Sequence, residues 1–395
     1  MSAEGEAIRS NDYRKDTTVK APSTRPAAVL GLDVGKSSHW ACLIDRDGEV
    51  LASAPVRNRE AELDALFASA PAGTLVVVDQ FRNIGSLAVR RARAAGLEVA
   101  YLPGLAASRA AGLFAGEAKT DERDAAVIAR TALGVPDSLS GVPGRGEALE
   151  AARALSSQRD HVVACATRDK NRLRAVLLES CPALEAAVDL SDRRWLELLA
   201  GFGGAWGIAR SGAGGPQAEA AGEAAAASTA PPPALVEAEN RQVRFLAARI
   251  SEALDEAGAL EAETAALLEG DETYACLLTV PGIGPRTAAR LAVSVDIGRF
   301  PDHDHLASYC GMAPRVRSSG TSVRSVRASR RGDAKLKSLL IFSCNSLVRS
   351  SGRYGEYYRA CRARGMGHGR ALKAVARKRL RAIYAVMRDR VPYRE

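Results

Sequence analysis

The chain has no cysteines at C-x-x-C spacing, no G-x-x-x-x-G-K-[ST] loop, no apolar run of membrane-spanning length and no secretion-signal core in its first two dozen residues. Each absence removes a class of protein. With five histidines and no close cysteine pair, a thiolate or imidazole zinc site is not expected. The seven cysteines, Cys42, Cys165, Cys181, Cys276, Cys310, Cys344 and Cys361, are odd in number and scattered, so they read as small buried side chains in a reducing compartment. The one local cluster, Asp302-His303-Asp304-His305, precedes the helical run Leu306 to Tyr309 and reads as helix capping. Lacking a phosphate loop, the chain is not expected to draw on ATP. Lacking a signal or span, it is expected to be cytoplasmic, with no membrane partner.

Acids are scarce in the last fifth. From Gly311 onward 22 Lys and Arg face 4 Asp and Glu, a balance of +18, so with +9 overall the first 310 residues sum to −9. Charge segregated in this way is the electrostatic footprint of a polyanion, and nucleic acid is the expected partner. The Gly, Ser and turn signals within the basic segment argue against a membrane surface.

What the acidic part does have is carboxylates in chosen places. The run Ala28-Val29-Leu30-Gly31-Leu32-Asp33 reads as a buried strand that ends by lifting one carboxylate into a cleft, although an Asp at a strand-end turn is also common. A meander follows, with an Asp-Gly turn signal at Asp45-Arg46-Asp47-Gly48. Thr74-Leu75-Val76-Val77-Val78 then delivers Asp79 in the same manner, as a parallel central strand would. In the helical run after Lys119-Thr120, Asp121 and Asp124 are three apart and share a face. Four converging carboxylates repel one another unless cations hold them, and an all-oxygen set suits Mg²⁺ or Mn²⁺. Two such ions are the usual apparatus for cutting phosphodiesters.

A chain of 395 residues is long enough for two or three domains. Leu149, Ala152, Leu155, Val162, Ala166, Leu173 and Leu177 predict a long helix, and Val236, Val243 and Ile250, seven apart, predict a second. The pair suggests a helical hairpin or coiled coil. Between them residues 201–233, rich in Gly, Ala and Pro, read as a mobile insertion without chemistry. The expected organisation is a disordered tail over 1–26, an α/β domain over 27–138, coiled-coil helices over 139–270 and a mostly helical domain over 271–395.

Two stretches of the last domain point to phosphate. Val280-Pro281-Gly282-Ile283-Gly284-Pro285-Arg286 looks like a helix-hairpin-helix turn, in which Gly282, Gly284 and Arg286 would meet a phosphate at a helix N-terminus. Gly311 to Gly332 alternates Ser and Arg with no acid, so the loop can approach phosphates while Arg315, Arg317, Arg324, Arg327, Arg330 and Arg331 neutralise them. Arg377, Lys378, Arg379 and Arg381 extend the basic surface. A serine of the loop could bind phosphate or attack it, and the residues alone do not choose among Ser318, Ser319 and Ser322.

The order of elements from Ala27 to Leu133 resembles a ribonuclease-H-like fold. Taken together, GLDVGK, VVVDQ, KTDERDA, VPGIGPRTA and YCGMAPRVRSSGTSVR resemble the DEDD transposases of the IS-one-ten family of bacterial insertion sequences, related to the Piv invertase. The resemblance implies a RuvC-like domain, a coiled coil and a C-terminal transposase domain, with donor and target DNA and a structured bridge RNA as partners. It places the metal-binding tetrad on Asp33, Asp79, Asp121 and Asp124 and the nucleophile on Ser319. At the second acid the family usually carries Glu, so Asp79 is one methylene shorter. The resemblance also implies a homo-oligomer, dimer or tetramer, through the coiled coil. The rival classes are a metal-dependent junction nuclease that uses water, and a nucleic-acid-binding protein without catalysis.

Overall fold

In a computed structural model of the chain, the described residues are 26–114, 120–142, 144, 146–319, 322–328 and 332–394, with backbone alone for 314–319 and 322–328. The expected tail lies, but for its last residue, outside them. The chain divides at Gly144 into two compact units.

The first unit contains β1 (Ala28–Asp33), β2 (Ser38–Asp45), β3 (Val50–Arg57), α1 (Glu60–Ser69), β4 (Thr74–Val78), α2 (Ser86–Ala94), β5 (Glu98–Tyr101), α3 (Gly104–Ala111), α4 (Asp121–Gly134) and β6 (Ser140–Gly141). The strands form one mixed sheet in the order β3-β2-β1-β4-β5-β6. β1 is antiparallel to β2 and parallel to β4, which is parallel in turn to β5. The Asp-Gly turn is present, with Gly48 at φ +91° and Asp45 Oδ1 accepting the N–H groups of Asp47 and Glu49 at 2.9 Å each.

Helices cover both sheet faces, which is why β4 is buried throughout and apolar after Thr74. Leu30, Leu32, Val76 and Val78 pack with Leu63 and Phe67 of α1 and Ala88, Val89 and Ala92 of α2. Their strand neighbours Val29, Leu75 and Val77 point the other way, into Ala125, Ile128, Ala129 and Ala132 of α4. Each fully buried Leu or Val contributes roughly 1.5–3 kcal/mol.

The second unit opens with α5 (Glu147–Ser180), followed by α6 (Pro182–Ala187), α7 (Arg193–Phe202), α8 (Ala205–Ser211), α9 (Pro216–Ala226) and α10 (Pro233–Leu267). α5 and α10 lie antiparallel, with Arg159 bonded to Glu261, Arg249 to Asp169 and Ser180 to Glu239. Residues 201–233, expected as a mobile insertion, instead fold as α8 and α9 against the tip of this pair. Ala218, Ala221 and Ala225 supply a buried stripe. Gly203, Gly204 and Gly207 leave room for Asn240 and Glu239, whose atoms an added Cβ would meet at 2.5–2.8 Å.

The remaining elements are α11 (Glu272–Leu278), α12 (Pro285–Ser294), α13 (His303–Tyr309), β7 (Pro314–Ser319), β8 (Ser322–Ala328), α14 (Ala334–Phe342), α15 (Asn345–Val348), α16 (Arg353–Ala363) and α17 (His368–Asp389). The boundary expected at residue 270 is not a break. Ala152 of α5 and Leu268, just past α10, share one core with Leu277, Leu291, Leu306, Leu336 and Ile383. The Ser/Arg stretch read as a loop is largely an antiparallel pair, Val316 opposite Val326 and Ser319 opposite Ser322. Among the described residues no helix is long and apolar enough to cross a membrane.

Candidate carboxylate site and nucleic-acid surface

Asp33 and Asp79 are brought together by strand register. Leu32 pairs with Val78 in the parallel β1–β4 ladder, so the next residue of each chain is the aspartate, at the same edge of the sheet. Strand alternation puts both on the side of Val29 and Val77, the side that α4 covers. Asp79 Oδ1 accepts the N–H of Val34 at 3.1 Å, which fixes its carboxylate beside the end of β1. Burial pushes the Asp79 carboxyl above its usual range; the Val34 N–H opposes this, and the charge of Asp124 adds to it.

α4 comes close because β1 has a glycine where it crosses. A Cβ on Gly31 would lie 2.5 Å from the Ala125 carbonyl oxygen and 2.7 Å from the Ala129 nitrogen, so only glycine lets the helix backbone rest on the strand. Asp124, one residue before Ala125, is thereby near enough for its charge to act on Asp79. Thr120 caps the helix, its Oγ1 accepting the Arg123 N–H at 3.3 Å, and the acids of the first turn complement the helix dipole. Trp40, opposite Asp33 in β2, donates to Ser53 Oγ at 2.9 Å, and Ser53 Oγ reaches Glu122 at 3.4 Å. This chain of bonds ties the start of α4 to β2 and β3.

The fold therefore sets Asp33 and Asp79 at adjoining strand ends and brings the charge of Asp124 to bear on Asp79, while Asp121 is exposed one turn earlier on the helix. Among the described residues no three His, Cys, Asp or Glu side chains form a group ready to hold a metal ion. The oxygen-only donors and the mutual repulsion of Asp79 and Asp124 nonetheless fit a hard divalent cation, which would relieve that repulsion. Gly31→Val should lift α4 from β1 and lower stability by about 1–3 kcal/mol, the usual cost of overpacking. Denaturant unfolding would read it; an unchanged midpoint would mean that the close crossing is not required.

In the second unit the helix-hairpin-helix shape is present in α11, α12 and the turn between them. Gly282 is explained by packing rather than by phosphate approach: at φ +75°, its Cβ would lie 2.8 Å from Leu347 Cγ and from the Ser343 carbonyl oxygen. Gly284 is exposed with open space around it, and Arg286 is half-exposed. Asp302 caps α13 as expected, accepting the N–H groups of Asp304 and His305 at 2.9 Å. Arg330 and Arg331 lie outside the described residues, as do the side chains of Arg315, Arg317, Ser318, Ser319, Ser322, Arg324 and Arg327.

Arg379 is a correction. The sequence places it on the basic surface, but it is 0% exposed and sits on the apolar stripe of α17 with Val375, Ala376 and Leu380. Its Nη1 donates to the Ser343 carbonyl at 2.9 Å and its Nη2 to Ser343 Oγ at 2.5 Å, so it closes the C-terminus of α14. No phosphate can reach it there. The other three basic residues join two that the sequence reading missed, Arg370 and Lys373, along a groove of about 760 Å³. The missed signal was spacing: 370, 373, 377 and 381 recur along one helix face. Tyr357 also lines the groove, under Lys378 Nζ at 4.3 Å from its ring centre. Arg377 holds Asp304 at 3.0 Å, an exposed pair that costs little to exchange for phosphate.

Neutralising Arg370, Lys373, Arg377 and Arg381 together should lower the salt dependence of duplex binding by up to about 3.6 in log–log slope, about 0.9 for each phosphate that is no longer neutralised. A slope equal to the parent's would place the footprint elsewhere.

Comparison with known proteins bears on both units. A family model described as Transposase matches residues 30–182, and one described as Transposase IS116/IS110/IS902 family matches residues 274–359. Acids at adjoining strand ends and a separate basic surface thus belong to a DNA-rearranging enzyme of insertion sequences. The chain is a member of the IS110 transposase family. It is similar to the 43.6 kDa protein of insertion element IS110 from Streptomyces coelicolor, 35% identical over 379 residues, 91% of this chain and 94% of that one. The 44.8 kDa protein of IS116 from Streptomyces clavuligerus is 29% identical, over 93% of this chain and 96% of its own. A pilin gene-inverting protein of Moraxella bovis is 35% identical over 124 residues, 30% of this chain and 37% of that protein.

Proposed function

We propose that the chain cuts and rejoins DNA with an acid site of Asp33, Asp79, Asp121 and Asp124 and a serine nucleophile, Ser319. The observation that carries this reading is the place of Asp33 and Asp79, each directly after the Leu32–Val78 pair that ends the parallel β1–β4 ladder, beside the acidic start of α4. The sheet order, a meander followed by parallel strands with helices on both faces, supports a ribonuclease-H-like or RuvC-like domain.

Bound Mg²⁺ or Mn²⁺, held by these aspartates, would supply Lewis acidity toward a phosphate oxygen. The serine Oγ attacks phosphorus, a serine–phosphate ester forms, and the departing strand leaves as a hydroxyl end that takes up the proton. The reverse attack, by the hydroxyl of another strand, frees the serine and joins the new pair. Bond energy is conserved, so no nucleotide cofactor is required. The basic groove and the exposed turn at Gly284 would hold donor and target DNA.

The family suggests further parts: a structured bridge RNA as guide, and a dimer or tetramer joined through the α5–α10 pair acting as a coiled coil. The relative named as gene-inverting supports site-specific rearrangement as the outcome. The test is a recombination assay on the DNA flanking the element, with and without Mg²⁺ and the adjoining noncoding RNA. Joined products that require both support the reading; cleavage without joining would leave the chain a nuclease.

A further inference from the structure

A cavity of about 690 Å³ lies between α5, α10, α12 and α14, within the size range of small-ligand sites. Of its lining, only Arg286 has been given a ligand above, as a phosphate contact of the hairpin turn. One part of its wall is cationic, with Arg159, Arg286, Arg290 and Lys335; another is apolar, with Val163, Ala164, Leu339 and Phe342. The acids nearby are already engaged. Asp160 Oδ2 lies 2.9 Å from Lys335 Nζ and 3.4 Å from Arg290 Nη1, and Glu261 Oε1 lies 2.7 Å from Arg159 Nε and 3.9 Å from Arg286 Nε. Even counting Asp333, 3.8 Å from Arg290 Nη2, three acids face four cations.

Two features show what is missing from this wall. Arg290 Nε is buried without a hydrogen-bond partner among the described residues. Arg286 is held below its usual range by burial and by the charge of Arg159, a repulsion that an anion would relieve. Phe342, the last residue of α14, is 67% exposed and lines the same cavity. Guanidiniums beside an exposed ring suit a phosphate joined to a flat base. The place suits a strand as well: Lys335 stands seven residues after the end of β8, and Pro285 follows the exposed Gly284 of the hairpin turn.

We propose that this cavity takes one nucleotide splayed from a nucleic-acid strand, its phosphate between Arg286 and Lys335 and its base against Phe342. The proposal rests on the reading that this protein binds nucleic acid, and it adds a site that a duplex could not enter without unstacking a base.

The test uses the full chain and a single-stranded oligodeoxynucleotide carrying 2-aminopurine, whose fluorescence reports stacking. Phe342→Ala should weaken binding roughly 5- to 100-fold and abolish the fluorescence change, whereas Phe342→Trp should keep both. Arg286→Gln with Lys335→Gln should lower the salt slope by about 0.7, the value for the one phosphate of a single strand that the pair would neutralise. Thermal melting of each variant confirms that the fold is retained. Free dAMP binding as tightly as the oligonucleotide would make this a mononucleotide pocket and overturn the strand assignment. If all three variants bind as the parent does, the proposal fails while the nucleic-acid reading stands; if the parent binds no oligonucleotide, that reading fails and takes the proposal with it. A variant that changes only the oligomeric state would mark the cavity as a protein interface and overturn it equally.

Discussion

Asp79→Asn is expected to reduce strand cleavage by about a thousandfold or more while the fold persists. An asparagine Oδ1 can still accept the Val34 N–H that positions this side chain, so little packing is disturbed. What disappears is one negative charge of a set that would hold a divalent cation. Such an ion is worth several kcal/mol to a phosphoryl transition state, and about 4 kcal/mol corresponds to a thousandfold in rate. Asp33→Asn should behave alike, whereas Asp79→Glu, which restores the length usual in the family, should retain activity. Stability gives an independent reading on the metal-free protein. The Asp79 carboxyl is raised by burial and by Asp124, so its contribution is present at acid pH and lost as the pH rises through the raised value. Asp79→Asn should therefore be more stable than the parent at neutral pH, and the advantage should vanish in acid. Thermal melting across that range, beside Mg²⁺-dependent cleavage, tests both halves; a variant that still cuts at the parent's rate would remove Asp79 from the site.

The strand ends that carry Asp33 and Asp79 were legible because their elements announce themselves locally. Val29 to Leu32 and Leu75 to Val78 are apolar runs that could only be buried, and each stops at an aspartate. The glycine that lets α4 settle on β1 could be read only with the fold in hand, since nothing near Gly31 in sequence names Ala125 or Ala129 as its neighbours. Residues 201–233 misled because small side chains give little hydrophobic contrast. The stripe of Ala218, Ala221 and Ala225 was present but looked like low complexity. Arg379 misled for the opposite reason: a charge outweighed its place in the stripe of Val375, Ala376 and Leu380. The β7–β8 pair was also open to reading, since Arg315-Val316-Arg317 alternates as a strand does, but the density of Ser and Arg drew attention to phosphate instead.

Ser319→Ala is expected to abolish strand exchange altogether and, with it, any covalent link between protein and DNA. A serine that attacks phosphorus must become bonded to the cut end, so denaturing the reaction midway should leave a protein–DNA adduct that requires Mg²⁺. Attack by water leaves none. Ser319 pairs with Ser322 at the end of the β7–β8 ladder, and a register shift between Arg317 and Ser319 sets this last pair apart from the regular pairing before it. Removing one hydroxyl at such a strand end should change stability by no more than about 0.5 kcal/mol, so DNA binding and melting serve as controls for the fold. Ser318→Ala and Ser322→Ala provide the comparison. If Ser318→Ala alone removes the adduct, the nucleophile lies one residue earlier and the recombinase reading stands with its register moved. If all three variants exchange strands, or the parent cuts without an adduct, the aspartates act through water, and the chain is a metal-dependent nuclease whose basic hairpin only holds the DNA.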